Sequence, residues 1–212
     1  MTYEFILMAD IIKSRNKNQQ LLINDFREIV ANINEEMGEK ILSPLTITLG
    51  DEFQGILHDL SSALTVIISI EERILKSKKN FQLRYILVEG KIETKINTQI
   101  AYEMLGSGLT EAREGLAEMK GSSLKFMTRL RDKKKQDAIN HAFFVLQGLT
   151  SDWNLLKDSI LIETFLVHKD YKLVARELEK NRSLMWKRKK SLKLDEYIAL
   201  KEVITYLGEV KA

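Results

Sequence analysis

Apolar residues recur along this chain with two different periods, and the change from one to the other outlines its architecture. Tyr3 to Ile12 is a nearly continuous apolar run rich in β-favouring residues, which predicts a buried strand. Polar residues Lys13 to Gln20 follow. From Leu21 to Met37 the spacing turns helical, with Leu22, Phe26, Ile29, Val30 and Ile33 on one face. Pro44 opens an extended segment over Leu45 to Leu49. Gly50-Asp51 punctuates it, and Phe53 to Leu57 resumes the extended pattern, so this stretch predicts a hairpin. Asp59 is placed to cap a helix over Leu60 to Lys78. Gln82 to Val88 predicts another strand, broken by Gly90, with Ile92 to Lys95 starting a hairpin partner. Gly106-Ser107-Gly108 precedes a helix over Leu109 to Met119, and Ser123 to Leu130 predicts a last strand.

From Asp132 onward the periodicity is helical only. Gln136 to Leu149, Asp152 to Val167, Tyr171 to Glu179, Ser183 to Lys190 and Leu194 to Leu207 are the expected helices. Mixed elements followed by helices alone predict an α+β domain over residues 1–131 and a helical domain over residues 132–212.

Composition narrows the chemistry. There is no cysteine, which excludes disulfides, thiolate zinc sites and cysteine nucleophiles. A single Pro and 10 Gly leave few stretches that look like flexible linkers. The apolar run near the start is too short, and wrongly flanked by Glu4, for a signal peptide. The longest apolar stretch, Ala63 to Ile70, carries Thr65 and Ser69 and is too short to span a bilayer. A cytoplasmic protein without a membrane partner is expected. His58, His141 and His168 fall in separate segments with no metal-ligand spacing.

Two acids occupy positions that suit two-metal chemistry. Asp10 ends the first strand, in Leu7-Met8-Ala9-Asp10-Ile11-Ile12-Lys13-Ser14, and Asp51 sits at the hairpin turn in Leu49-Gly50-Asp51-Glu52-Phe53. Hard divalent cations bridge carboxylates to phosphate oxygens, and a strand end beside a hairpin tip can bring two carboxylates together. Gly50 lets the turn tighten and lets backbone approach a ligand. Glu52 is a third candidate ligand, and Ile11, Ser14 and Arg15 follow Asp10 closely enough to face a nucleotide. The plainer alternative is that Asp10 caps the next helix, Asp51 is an ordinary turn residue and Glu52 points to solvent.

Ala9-Asp10-Ile11 followed by Gly50-Asp51 resembles the palm of class III nucleotidyl cyclases, and Gly50-Asp51-Glu52-Phe53 is similar to the hairpin of diguanylate cyclases. Leu83-Arg84-Tyr85-Ile86 through Gly90 and Gly106 to Arg113 continue the likeness in the same order. The resemblance implies a ferredoxin-like palm, Mg²⁺ or Mn²⁺ at Asp10 and Asp51, a bound nucleotide, a homodimer, and Arg113 as charge stabiliser. Three positions depart from the pattern. Leu49 stands where diguanylate cyclases carry their first Gly, Thr110 is the best match to the cyclase Asn, and Arg113 then falls one position early. Across its length, through Met8-Ala9-Asp10-Ile11-Ile12-Lys13-Ser14-Arg15, Gly50-Asp51-Glu52-Phe53-Gln54-Gly55 and Glu111-Ala112-Arg113-Glu114, the chain is identified as resembling the SatD family of bacterial proteins.

Charge is unevenly spread although the net is only +3: Arg182, Lys187, Arg188, Lys189, Lys190 and Lys193 share one stretch with no acid between them. Tyr171 to Glu179 and Ser183 to Lys190 resemble a helix-turn-helix over about residues 170–207. Ala175 is small at the helix approach, Lys180-Asn181 forms the turn, Ser183 is a cap, and Leu184 and Trp186 pack. In such a motif Arg182, Ser183 and Lys187 would reach base edges, while Arg188, Lys190 and Lys193 would touch DNA phosphates. The alternative is a helical hairpin with a solvated basic face. Three functions stay open: a metal- and nucleotide-binding regulator that binds DNA, an active two-metal nucleotidyl cyclase or nucleotidyltransferase, and a scaffold that makes protein contacts only.

Overall fold

Strand β1 (Thr2–Ile11) is the axis of the molecule because both its edges are occupied and both its faces are covered. The computed structural model describes residues 2–14 and 19–210. After β1 come α1 (Gln19–Glu36), a short 3₁₀ turn, β2 (Ile41–Ile47), β3 (Glu52–Leu57), α2 (Leu60–Lys76), β4 (Leu83–Ile92), α3 (Ser107–Met119) and β5 (Phe126–Arg129). The sheet runs β2-β3-β1-β4-β5. The first four strands pair antiparallel, and β5 joins β4 in parallel through the α3 crossover. Order β2-β3-β1-β4 with helices after β1 and β3 is the ferredoxin-like arrangement, so the mixed α+β expectation is met in this half.

Period-two alternation divides β1 between two cores. Leu7, Ala9 and Ile11 belong to the larger apolar cluster, together with Phe26 and Ile29 of α1 and Val66 and Ile70 of α2. Ile6 and Met8 point the other way, into a smaller cluster with Ala112, Leu116 and Met119 of α3. Asp10 has the parity of Ile6 and Met8, so it faces the α3 side. That single parity decides where the acid can act.

Two local expectations are corrected. Pro44 does not open β2 but lies inside it; β2 is an edge strand, and its register against β3 shifts on either side of Ser43, where a missing ladder donor is tolerated. Gly90 does not break β4, which continues to Ile92 and pairs with β1 along its length. Its role is close packing: a Cβ at Gly90 would lie 2.4 Å from Gly108 Cα, and one at Gly108 would lie 2.6 Å from the Gly90 carbonyl carbon. The start of α3 therefore rests directly on the backbone of β4.

The remaining helices are α4 (Lys133–Thr150), α5 (Leu155–His168), α6 (Tyr171–Glu177), α7 (Arg182–Ser191) and α8 (Leu194–Glu209). The apolar core continues across residue 131: Ile139, Phe143 and Leu146 of α4 and Tyr197 and Ile204 of α8 join the larger sheet cluster. Helices α5, α6 and α7 gather around a smaller core of Ile162, Phe165, Val174, Ala175, Met185 and Leu192, which Leu75 of α2 and Leu194 of α8 complete. The α6–α7 joint also differs from expectation. The left-handed residue is Glu179 (φ 52°), and Asn181, not Ser183, caps α7 through its side chain. Met185 is the inward residue of α7, while Leu184 and Trp186 are about half exposed. Among the described residues no helix is long and apolar enough to cross a membrane.

Replacing Gly90 or Gly108 by Ala forces helix and strand apart at a backbone-to-backbone contact. A loss of about 1–3 kcal/mol is expected from overpacking, measurable by urea denaturation, whereas Gly148→Ala in α4, with open space around it, should be neutral or mildly stabilising.

Candidate functional site

Register brings the first charged residues together. Asp10 on β1 stands opposite Glu52 on β3 and opposite Arg84 on β4, so three ionisable side chains form one row across the central strands. Asp10 is 4% exposed and Arg84 8%. Arg84 Nη1 lies 3.1 Å from each Asp10 carboxylate oxygen. From the first position after α3, Lys120 reaches over the same row, its Nζ 3.0 Å from Glu52 Oε1 and 3.4 Å from Asp10 Oδ2. Burial raises the Asp10 carboxyl above the ordinary carboxylate range, and the charges of Arg84 and Lys120 offset this only in part. Burial lowers Lys120, but the hydrogen bond and charge of Glu52, with help from Asp10, carry it above the ordinary lysine value.

Asp51 is held separately. The turn between β2 and β3 closes through Thr48 N–H donating to Glu52 O at 2.9 Å, with Gly50 at φ 82°, a backbone state that favours glycine. Ile11 N–H donates to Asp51 O at 2.9 Å, tying the hairpin tip to the end of β1. Ser14 Oγ–H donates to Asp51 Oδ2 at 2.6 Å. Between those two contacts the chain turns through Lys13 in a left-handed conformation, φ 57°. Such conformations cost free energy for a residue with a Cβ and concentrate at ligand sites.

Asp10 and Asp51 line one open cleft of about 860 Å³, along with Ile11, Lys13, Ser14, Arg84, Lys120 and Lys125. Its far wall carries Ser122 and Ser123 after α3, and Gln147 and Ser151 at the end of α4. Gln147 fixes that wall by accepting from Lys125 N–H at 2.8 Å and donating to Ser123 O at 2.8 Å. Arg84 Nε is a buried donor without a partner among the described residues. An additional acceptor in the cleft would relieve that cost.

The expected site residues separate into three groups. Asp10, Asp51, Ile11 and Ser14 converge on the cleft, although the Ile11 side chain points into the core. Glu52 joins through Lys120, and Gly50 shapes the turn. Arg113 does not converge: it is exposed on α3 and outside the cleft of its own chain. Arg15 lies outside the described residues. Arg84, Lys120 and Lys125 were missed as site residues. Arg84 had a legible signal, a charge inside an apolar strand at a core-facing parity. Lys120 and Lys125 had none, because the α3 crossover alone aims them.

A divalent ion can be tested against these groups. Among the described residues no three His, Asp or Glu side chains gather to hold a metal unaided. Two carboxylates in a cleft rich in cations fit a magnesium-like ion that completes its shell with water and ligand phosphates. Asp10 and Asp51 would hold it, with Glu52 beside them; the bound ion would supply charge neutralisation to a polyphosphate.

On α7 the basic residues divide as well. Arg182, Ser183 and Lys187 are exposed, with no side-chain ion pair or hydrogen bond among the described residues. Arg188 pairs with Asp158 of α5, and Lys189 and Lys190 both pair with Asp195 at the start of α8. The Lys189 hydrogen bond, against a smaller effect of burial, holds Asp195 below the usual carboxylate range. Lys193 turns through a left-handed conformation, φ 52°, before α8.

Breaking the buried pair gives a test with a defined sign. Arg84→Met should cost about 3 kcal/mol by leaving Asp10 charged without its buried partner. An acid whose pKa is higher folded than unfolded binds protons on folding. The deficit should therefore be largest at pH 8 and shrink as pH falls through the folded Asp10 value, followed by denaturation at several pH values.

The family model described as the SatD family matches residues 4–207. Among solved structures, a bacterial light-regulated adenylyl cyclase is similar at 15% identity and a TM-score of 0.45, over 60% of this chain and 43% of that one, so the chain spans under half its length. The guanylyl cyclase Cya2 is similar at 12% identity and a TM-score of 0.42, over 56% and 73% of the two chains. A monomeric guanylyl cyclase domain of a RhoGC fusion protein from the aquatic fungus Blastocladiella emersonii gives 15% and 0.39, over 59% and 81%. No curated protein matches the chain. At these scores the architectural assignment rests on the strand order and register.

Proposed function

The chain belongs to the SatD family, and on that premise we propose that its sheet half binds a nucleotide together with Mg²⁺ or Mn²⁺, in the cleft at the end of β1. One observation carries the reading: Asp10 and Asp51 line the same cleft as Lys13, Arg84, Lys120 and Lys125. Acids alone would suit a bare cation, and bases alone a bare anion. The mixture suits a metal–polyphosphate, whose ion meets the carboxylates while its phosphates meet the lysines. A volume near 860 Å³ falls within the roughly 300–1,000 Å³ of small-ligand sites. The reading is one of binding. Arg113 is remote from its own cleft, so turnover of the cyclase kind would need a second copy, the homodimer that the sequence resemblance implies.

A second element of the reading is DNA contact by α7. What favours it is that Arg182, Ser183 and Lys187, the expected base-reading residues, are exposed and free of internal partners among the described residues. Arg188 and Lys190 are engaged by Asp158 and Asp195 and would contribute less to phosphate contacts. The cleft and α7 have a physical connection. Ser151 lines the cleft, and two residues on Trp153 donates from Nε1 to Leu192 O, just past α7, at 3.0 Å. The Trp153 ring also lies against Tyr197 of α8, 4.9 Å between centroids. A ligand that shifts the end of α4 would bias that contact, which is the differential interaction that coupling requires.

With Mn²⁺ and a non-hydrolysable nucleotide at about a hundred times Kd, binding should stabilise the fold by about 2.7 kcal/mol, seen as a rise in Tm. Asp10→Asn and Asp51→Asn should abolish the rise, and Arg113→Ala should keep it. No rise with any nucleotide would overturn the reading. For DNA, a gel shift that weakens with salt and disappears in an Arg182→Ala/Lys187→Ala double variant is expected; salt-insensitive or absent binding would exclude DNA as a partner.

A further inference from the structure

Two cations serve one buried carboxylate in this cleft, and they are not equivalent. Arg84 is 8% exposed, rises from the middle of the sheet and already spans both oxygens of Asp10. Lys120 is attached at the end of α3, its side chain is 51% exposed, and it is the only one of the two that also touches Glu52. Its four-carbon stem reaches the carboxylates from the solvent side, so its ammonium can leave without moving the sheet. A divalent ion at Asp10 would share that carboxylate with the ammonium. Like charges about 4 Å apart repel by about 1–4 kcal/mol per pair of unit charges in wet and semi-wet surroundings. Lys120 and a metal ion would therefore compete for Asp10.

We infer that Lys120 is a built-in counter-cation of the site. In the ligand-free protein its ammonium neutralises Asp10 and Glu52. The divalent ion of an incoming metal–polyphosphate displaces it, and the freed ammonium then turns to the phosphates. The carboxylates thereby have a counter-cation in both states, and the cleft discriminates against metal that arrives without phosphate, because bare metal displaces Lys120 and offers it no new partner. The inference rests on the metal–nucleotide reading above and adds the residue that makes the two ligands bind together.

The test uses the full chain as wild type, Lys120→Met and Lys120→Arg. Mn²⁺ alone is titrated with free Mn²⁺ followed by electron paramagnetic resonance, and Mn²⁺ with non-hydrolysable ATP and GTP analogues by calorimetry. Lys120→Met should bind Mn²⁺ alone about tenfold more tightly, the order expected for removing one nearby unit charge. It should bind the metal–analogue complex more weakly than wild type, and Lys120→Arg should resemble wild type in both. A merely structural lysine would not give a gain in metal affinity on removal. Equal or weaker Mn²⁺ binding by Lys120→Met, with metal–analogue binding retained in wild type, would overturn the role of Lys120 alone. Failure of all three proteins to bind either Mn²⁺ or the metal–analogue complex would overturn it together with the nucleotide reading.

Discussion

A carboxylate buried on the central strand of a sheet is costly unless its charge is met, and the contact between Asp10 and Arg84 meets it. An unpaired charge in that position would cost several kcal/mol, more than most single interactions in a domain return. Antiparallel pairing of β1 with β4 sets Asp10 opposite Arg84, and pairing with β3 sets it opposite Glu52. Once that register is fixed, the charged row lies on the α3 face, and everything else about the cleft follows from what can reach it.

What reaches it is governed by a helix that lies unusually close. The Gly90–Gly108 contact seats the start of α3 on the backbone of β4, and α3 then crosses to deliver its last turn above β1. Lys120 thus arrives over Asp10 and Glu52, and the serines after it form the far wall. The same crossover ends in β5, and Lys125, in the bend just before that strand, lines the cleft. A strand-packing constraint twelve residues away in sequence determines which cations face the acids.

The helical half is fastened to this arrangement rather than appended to it. Helices α4 and α8 share the apolar core of α1 and α2, and Tyr197 and Lys201 of α8 both donate to Glu72 of α2, at 3.1 and 2.6 Å. Helix α4 ends beside the cleft, so the wall made by Gln147 and Ser151 belongs to both halves. Much of the basic charge on α7 is answered from within, by Asp158 and Asp195. The charge run that looked uniform in sequence therefore presents Arg182 and Lys187 outward and commits Arg188, Lys189 and Lys190 to neighbouring helices.

The sequence by itself determined the elements whose periodicity is long and uninterrupted. β1, α1 and α2 fall where alternation and helical spacing predict them, and Asp59 caps α2 as its position implies. It also pointed to Asp10 and Asp51 lying near each other, and they do line one cleft, since a strand end and an adjoining hairpin tip are brought together by local pairing. Only the tertiary structure decided the meaning of Gly90, because a glycine that ends a strand and one that admits a helix look alike in one dimension. The inward residue of α7 was likewise settled by α5 and α6, which take Met185 and leave Trp186 half exposed. Arg113 shared the order of the resemblance but stands outside the cleft of its own chain, since its side of α3 faces away from the sheet. Lys120 was invisible for the same physical reason: its partners are 68 and 110 residues distant in the chain, and no local pattern encodes a contact made by a crossover helix.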